Sequence, residues 1–257
     1  MSIYNKSFID NAFALNVAVG KVDGYSVVQK FGTNDAVPNG TWAGILSAAA
    51  QFVWPTAAIA VRVKAGGNAA DVDATGAGAR TVTVQGLSAT GLEVKETIAL
   101  KGALVSDPTT QTFLRVYRVW VETAGTYTGA NTADIVIETT AGTALISIVA
   151  GYGQSQYCAY TIPLGKTGLL TSIDVQVDGK LAADFRLFTR VDILDITAPM
   201  PPKRLKLFWS GVADNDNHQK VFPALVLPAL TDIWIEARGG GALTQATANM
   251  EIVLVDD

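Results

Sequence analysis

Cysteine and histidine are almost absent from this chain, one of each in 257 residues. A lone Cys158 excludes a disulfide within the chain, which fits assembly in a reducing compartment. A lone His218 must serve every Ser-His-Asp or Cys-His arrangement and every histidine-containing metal site. Charge is scarce as well: Asp, Glu, Lys and Arg make up 16% of the residues, against roughly 25% in an average globular protein. A sparsely charged surface is common where partners will cover much of it. Acidic and basic side chains are interspersed, with a net charge of −4. No lysine or arginine cluster can neutralise a run of phosphates, so nucleic acid is not expected as a partner. The longest apolar runs, Ala12–Val19 and Ile45–Pro55, are too short to cross a bilayer, and no membrane is expected. The opening MSIYNKSFIDNAFALNVAVG has one basic residue, Lys6, and an interrupting Asp10. It makes a poor signal peptide, so a cytoplasmic product with an extended or weakly helical N-terminal arm is expected.

What is abundant is alternation with period two. In LEVKETIAL, Leu92, Val94, Ile98 and Leu100 oppose Glu93, Lys95 and Thr97; Glu96 falls on the apolar side, which predicts a bulge or an edge position there. TSIDVQV sets Ile173, Val175 and Val177 on one face, and TDIWIEA and NMEIVLV repeat the pattern. Gly-, Asn- and Asp-rich turns separate these runs. Only Trp42–Phe52 reads as a helix. The expected fold is all-β: two antiparallel β-sandwich or jelly-roll-like modules with an extended arm. The boundaries predicted are 1–24 for the arm, 25–150 for the first module and 151–257 for the second, divided at the glycine-rich stretch near residue 150.

Each candidate for chemistry has a plainer reading beside it. GAGARTVTVQG (76–86) offers a fragment of a G-x-G pattern, but a nucleotide loop needs a helix after it and a G-K-[S/T] ending. Here a β-branched strand follows, so Gly76 and Gly78 are expected to allow a turn with positive φ. ADNDNHQK places Asp214 and Asp216 near His218; an EF-hand's central glycine and distal glutamate are missing, and a solvated hairpin tip is expected. Glu93, Glu122, Glu138, Glu236 and Glu251 stand singly in strand-like segments, as solvent-facing rungs. Cys158 has no basic residue near it in sequence to activate it and is expected to be buried and inert. No catalytic, metal or cofactor residue is assigned, and no small-molecule substrate.

Three large aromatics fall on nominally polar faces: Phe188 beside Arg186 and Arg190, Phe208 beside Arg204 and Lys206, and Trp234 beside Asp232 and Glu236. Apolar anchors within a charged rim are the pattern of a protein interface. A second buried face or a covering loop explains them equally well, and a sugar-stacking platform is a third reading.

Several segments in order resemble a family of tailed-bacteriophage virion structural proteins of the marine and cyanophage type. They are QKFGTNDAV (29–37), GAGARTVTVQGLSATGLEVKETIALKG (76–102), FLRVYRVWVETAGTYTGANTADIVI (113–137), YTIPLGKTGLLTSIDV (160–175), KLAADFRLFTR (180–190), TDIWIEARG (231–239) and EIVLVDD (251–257). The resemblance implies a non-enzymatic particle component made in the host cytoplasm. Its role would be capsid decoration or cement, bound outside the major capsid protein lattice as a symmetric oligomer, with a trimer favoured. A head or tail appendage binding receptor or glycan is the alternative, and a β-sandwich hydrolase a remoter one. In the cement reading the arm, with Tyr4, Phe8 and Phe13, clamps a neighbouring subunit. Deleting residues 1–20 is then expected to abolish co-sedimentation with particles; undiminished binding would remove the arm from the contact.

Overall fold

The computed structural model describes residues 16–47, 52–178, 181–213, 217–241 and 244–257. Tyr4, Phe8, Phe13, Asp214 and Asp216 lie outside them, as does the side chain of His218. Of the arm, residues 16–18 form one helical turn that buries Val17.

The chain is all-β, as its alternation predicts. Its strands are β1 (Tyr25–Val37), β2 (Ala43–Gly44), β3 (Val61–Lys64), β4 (Ala79–Leu87), β5 (Glu93–Ala99), β6 (Arg115–Ala124), β7 (Ile135–Thr139) and β8 (Ala144–Ile148). They continue with β9 (Ala159–Thr161), β10 (Lys166–Asp178), β11 (Ala183–Arg190), β12 (Arg204–Val212), β13 (Asn217–Leu227), β14 (Asp232–Gly239) and β15 (Thr244–Asp256). The strand pairs nest antiparallel, outermost to innermost: β1 with β15, β2 and β9 with β14, β10 with β13, β11 with β12. A long ribbon paired in this way and rolled up yields two facing sheets, β1-β15-β10-β13 and β12-β11-β14-β2. That is a jelly roll.

These pairings correct the division at residue 150. β1 and β2 complete the sheets of the C-terminal strands, so residues 25–46 belong with them. Residues 59–155 form an inserted module of two three-stranded sheets, β3-β7-β8 and β5-β4-β6. Alternation reports which face a strand buries, not which strand lies beside it. The segment expected to be helical is corrected too: Ala43 and Gly44 pair with Ala237 and Glu236, and Ile45 and Leu46 are buried in extended chain.

Inside the jelly roll, alternation holds where one face is wet. Ile173, Val175 and Val177 of β10 and Met250, Ile252 and Leu254 of β15 point into the core. β14 differs, because Asp232 through Ala237 are buried on both faces. At its Asp232 end the outer side is covered by the inserted module, through one ion pair. Arg115 at the start of β6 donates from Nε and one terminal nitrogen to the two carboxylate oxygens of Asp232, both at 3.0 Å, and both side chains are buried. The other terminal nitrogen donates to the carbonyls of Pro55 and Leu114 at 2.8 Å, and Thr161 donates to Asp232 at 2.7 Å. Each polar atom has a partner, the condition under which a buried pair is tolerated.

GAGARTVTVQG is a turn feeding a strand, and its glycines serve a different purpose from the one expected. Neither Gly76 nor Gly78 has a positive φ; that conformation belongs to Ala74, at 66°. They are needed for close approach, since a Cβ at Gly76 would lie 2.3 Å from the Ala70 carbonyl. The buried Asp71 carboxylate accepts hydrogen bonds from the backbone N–H groups of Ala79, Thr132 and Ala133, each at 2.9 Å. A backbone nest that could have held an anion is filled by the chain's own carboxylate. Val82 and Val84 then enter the core, and the Ser88–Gly91 turn, with Gly91 at φ +79°, returns the chain as β5. β5 is an edge strand, as Glu96 suggested; Glu96 accepts from the N–H groups of Thr110 and Gln111.

Lys30 on β1 also faces inward, 3% exposed, donating to the Tyr117 carbonyl beside Cys158. Burial, reinforced by the neighbouring Arg118 and opposed by Cys158, holds its pKa down to about 7. Burial pushes the Cys158 thiol up to about 12, against the pull of Lys30. Cys158 is buried as expected, although a basic residue stands next to it in space.

Two outcomes follow. Arg115→Ala leaves Asp232 buried and unpaired and should cost about 3–5 kcal/mol of unfolding free energy in urea titration, while Thr161→Val should cost about 1 kcal/mol. Between pH 7 and 8.5 the unfolded chain holds a proton on Lys30 that the folded chain sheds, so stability rises with pH there. The thermal midpoint should climb across that window in the wild type and stay level in Lys30→Met.

Candidate interaction surface

The outer face of the β12-β11-β14 sheet is built from cross-strand rows. Asp184, Arg186 and Phe188 of β11 stand opposite Arg238, Glu236 and Trp234 of β14. On the other side Arg186 stands opposite Phe208 and Phe188 opposite Leu205. A register shift between Leu187 and Phe188 removes Lys206 from the row and turns Leu205 outward in its place.

Cations and rings interleave on this face. Arg186 donates from Nε to Glu236 at 2.7 Å, and its guanidinium lies 4.0 Å from the Trp42 ring centroid and 4.8 Å from that of Phe188. Arg238 pairs with Asp184 at 2.6 Å and lies 4.9 Å from the Trp42 ring. The Phe188 and Trp234 rings stack at 5.6 Å, Trp54 leans on Trp234 at 5.3 Å, and the Lys203 amine sits 4.6 Å from the Phe188 ring. Each such contact contributes about 0.5–2 kcal/mol, most where water is excluded. The Trp234 indole donates to Glu236 at 2.9 Å, so its polar edge is satisfied as well.

The three aromatics named from the sequence therefore divide. Phe188 and Trp234 are 8% and 4% exposed, roofed by Trp54, Lys203 and Arg186, and they hold the face together. Phe208 is 50% exposed, with Leu205 beside it at 54%. Trp42 meets Phe208 edge-on at 6.1 Å. Glu138 and Glu236, expected as solvent-facing rungs, are instead buried in ion pairs with Arg62, Lys64 and Arg186. Glu122 and Glu251 stay on outer faces and accept hydrogen bonds from Thr83 and Thr171.

β12 ends its sheet, and β13, next in the chain, ends the facing sheet on the same flank. β12 is exposed on both faces over most of its length. Lys203, Arg204 and Lys206 are exposed around Phe208 and Leu205, with no carboxylate partner among the described residues. β13 carries Pro223 and the exposed Val226. This flank offers apolar anchors, a cationic rim and strand edges that pair with no further strand among the described residues, the elements of strand addition or subunit contact. Sequence parity missed Leu205, because the register shift that turns it outward leaves no mark in the sequence. Trp42 and Trp54 were missed because they stand outside the alternating runs. Among the described residues no three His, Cys, Asp or Glu side chains meet as a metal site, and no helix is long and apolar enough to cross a membrane.

No protein-family model matches the chain, and no curated protein matches it. Among solved structures it is similar to a mutant of the VP2 protein of infectious bursal disease virus in derived T=1 particles. The TM-score is 0.28 at 10% identity, over 91% of this chain and 70% of that one. A structure of the Gx strain of the same virus gives 0.27 at 9% identity, over 90% and 72%. Scores at this level do not define a shared fold.

Proposed function

We propose that the chain is a non-enzymatic virion structural protein. In this reading it is a capsid decoration or cement protein that binds the outside of a major capsid protein lattice as a symmetric trimer. The observation that carries the reading is the β12 flank, where half-exposed Phe208 and Leu205 share an edge strand with Arg204 and Lys206 and follow Lys203, cations that have no carboxylate partner among the described residues. Edge strands are usually blunted or covered. A basic rim around two apolar anchors fits a partner surface with an apolar pocket and acidic surroundings. Trimeric association multiplies such contacts, so each needs to be only modestly strong. The tailed-phage resemblance of the sequence supports the same role, and a jelly roll is a scaffold used by capsid proteins, lectins and cupins alike. The glycan-binding alternative loses its central residue, because Trp234 is 4% exposed and cannot stack on a sugar.

Quantitative mass spectrometry of purified particles should count on the order of hundreds of copies, as lattice symmetry demands; about a dozen would transfer the chain to an appendage. Replacing Leu205 with Glu and Phe208 with Asp together should weaken particle association by at least about tenfold, or ~1.4 kcal/mol, at an unchanged thermal midpoint. Trp234→Ala should instead lower the midpoint, as the loss of a buried ring does. Full association of the double variant would remove the flank from the contact.

A further inference from the structure

Where the inserted module meets the edge of the jelly roll, β1, β9 and β15 on one side and β4, β5 and β6 on the other enclose a cleft of about 380 Å³. Its polar walls are unbalanced. Lys30, 3% exposed, spends one donor on the Tyr117 carbonyl and lies between the Tyr117 and Tyr157 rings, 5.9 and 5.8 Å from their centroids. Among the described residues it has no carboxylate partner. Arg118 donates to the Gln29 carbonyl and likewise has no carboxylate partner. The hydroxyl of Tyr160 is buried and meets no partner but its neighbour Tyr117, whose own proton goes to Glu93. The one carboxylate on the wall, Glu93, accepts from the Tyr117 hydroxyl at 2.7 Å. Lys166, at the rim, is paired with Asp256.

Lys30 and Arg118 each spend one donor on a backbone carbonyl and have others left over, which calls for a ligand that accepts. A buried ammonium is costly unless an anion meets it, and among the described residues the cleft's own carboxylate, Glu93, is bonded to Tyr117 and not to Lys30. At about 30 Å³ per water the space holds about a dozen waters, room for more than a bare ion. We propose that this cleft binds a small organic oxyanion, a carboxylate or a phosphate. Its oxygens are held by Lys30 Nζ, the Arg118 guanidinium and the Tyr160 hydroxyl, and the Tyr117 and Tyr157 rings wall the amine from water.

Binding is coupled to a proton. Arg118 of β6 and Cys158 before β9 act on the Lys30 amine, and the Tyr117 and Tyr157 rings lie against it; Tyr160 of β9, Glu93 of β5 and Lys166 of β10 line the same cleft, and Asp174 of β10 and Glu251 of β15 border a second cleft that Lys30 also lines. With no anion present, the amine is largely neutral at pH 8 and largely charged at pH 6. An incoming anion favours the charged form, so it draws a proton onto Lys30 at pH 8 and little at pH 6.

The test is calorimetric titration of the full chain with citrate and with inorganic phosphate, in two buffers of different ionisation enthalpy. Saturable binding of either anion is expected, with uptake of about one proton per anion at pH 8 and little at pH 6. Citrate binding alone identifies a carboxylate site, and phosphate binding alone a phosphate site. Lys30→Met, which replaces the amine with an apolar chain of similar shape, should weaken binding by at least about tenfold without lowering the thermal midpoint. Tyr160→Phe should weaken it about threefold to tenfold, and Arg118→Gln supplies a third variant at the rim. Binding of neither anion, or equal binding by the wild type and folded Lys30→Met and Tyr160→Phe variants, would overturn the proposal.

Discussion

The arrangement of the molecule depends on one buried ion pair. Arg115 and Asp232 lie 117 residues apart in the chain and belong to different modules, yet each satisfies the other's fork at 3.0 Å inside the protein. Arg115 also gathers the Pro55 carbonyl, and Asp232 gathers Thr161, so four segments meet at one carboxylate–guanidinium contact. The energetic logic is asymmetric: the complete pair roughly offsets its own desolvation, while half of it would be a buried charge. What the pair secures is geometry. It sets the inserted module against β9 and the start of β14.

From that placement the rest of the surface follows. Trp54, delivered by the segment that Arg115 holds, roofs Trp234 and through it Phe188, closing one end of the outer face. The far end has no such cover. The nested pairing of the jelly roll obliges β12 and β13, the strands after the innermost pair begins, to be sheet edges on one flank. Covering at β14 and exposure at β12 therefore arise from the same topology. The insertion also creates the cleft around Lys30, since the edge strand β1 turns a lysine toward a wall that β6 supplies.

Much of this was legible beforehand and much was not, for definable reasons. Alternation in TSIDVQV and NMEIVLV matched the burial of β10 and β15, because each has one wet face. TDIWIEA alternates equally well, yet β14 is buried on both sides, because the second face is covered by residues about 120–180 positions upstream, Arg115 and Trp54. Phe188, Phe208 and Trp234 read alike in sequence, and only packing separated two structural rings from one exposed anchor. Leu205 replaced Lys206 on that face through a register shift that no pattern announces. Lys30 gave no signal at all, because a lysine in an alternating strand is ordinarily on the wet side.

By itself the sequence determined the class of fold: short alternating strands, abundant turns, a single cysteine and little charge specify an all-β protein without staples, because period-two burial is a local property. It also determined that GAGARTVTVQG opens a strand rather than a phosphate loop, since β-branched residues follow it. Tertiary structure alone decided which strands pair, that residues 59–155 are an insertion rather than part of a first module, and which side chains face a partner, a cleft or the core. Those choices rest on contacts between residues far apart in the chain, and local patterning carries no record of which distant surface will cover it.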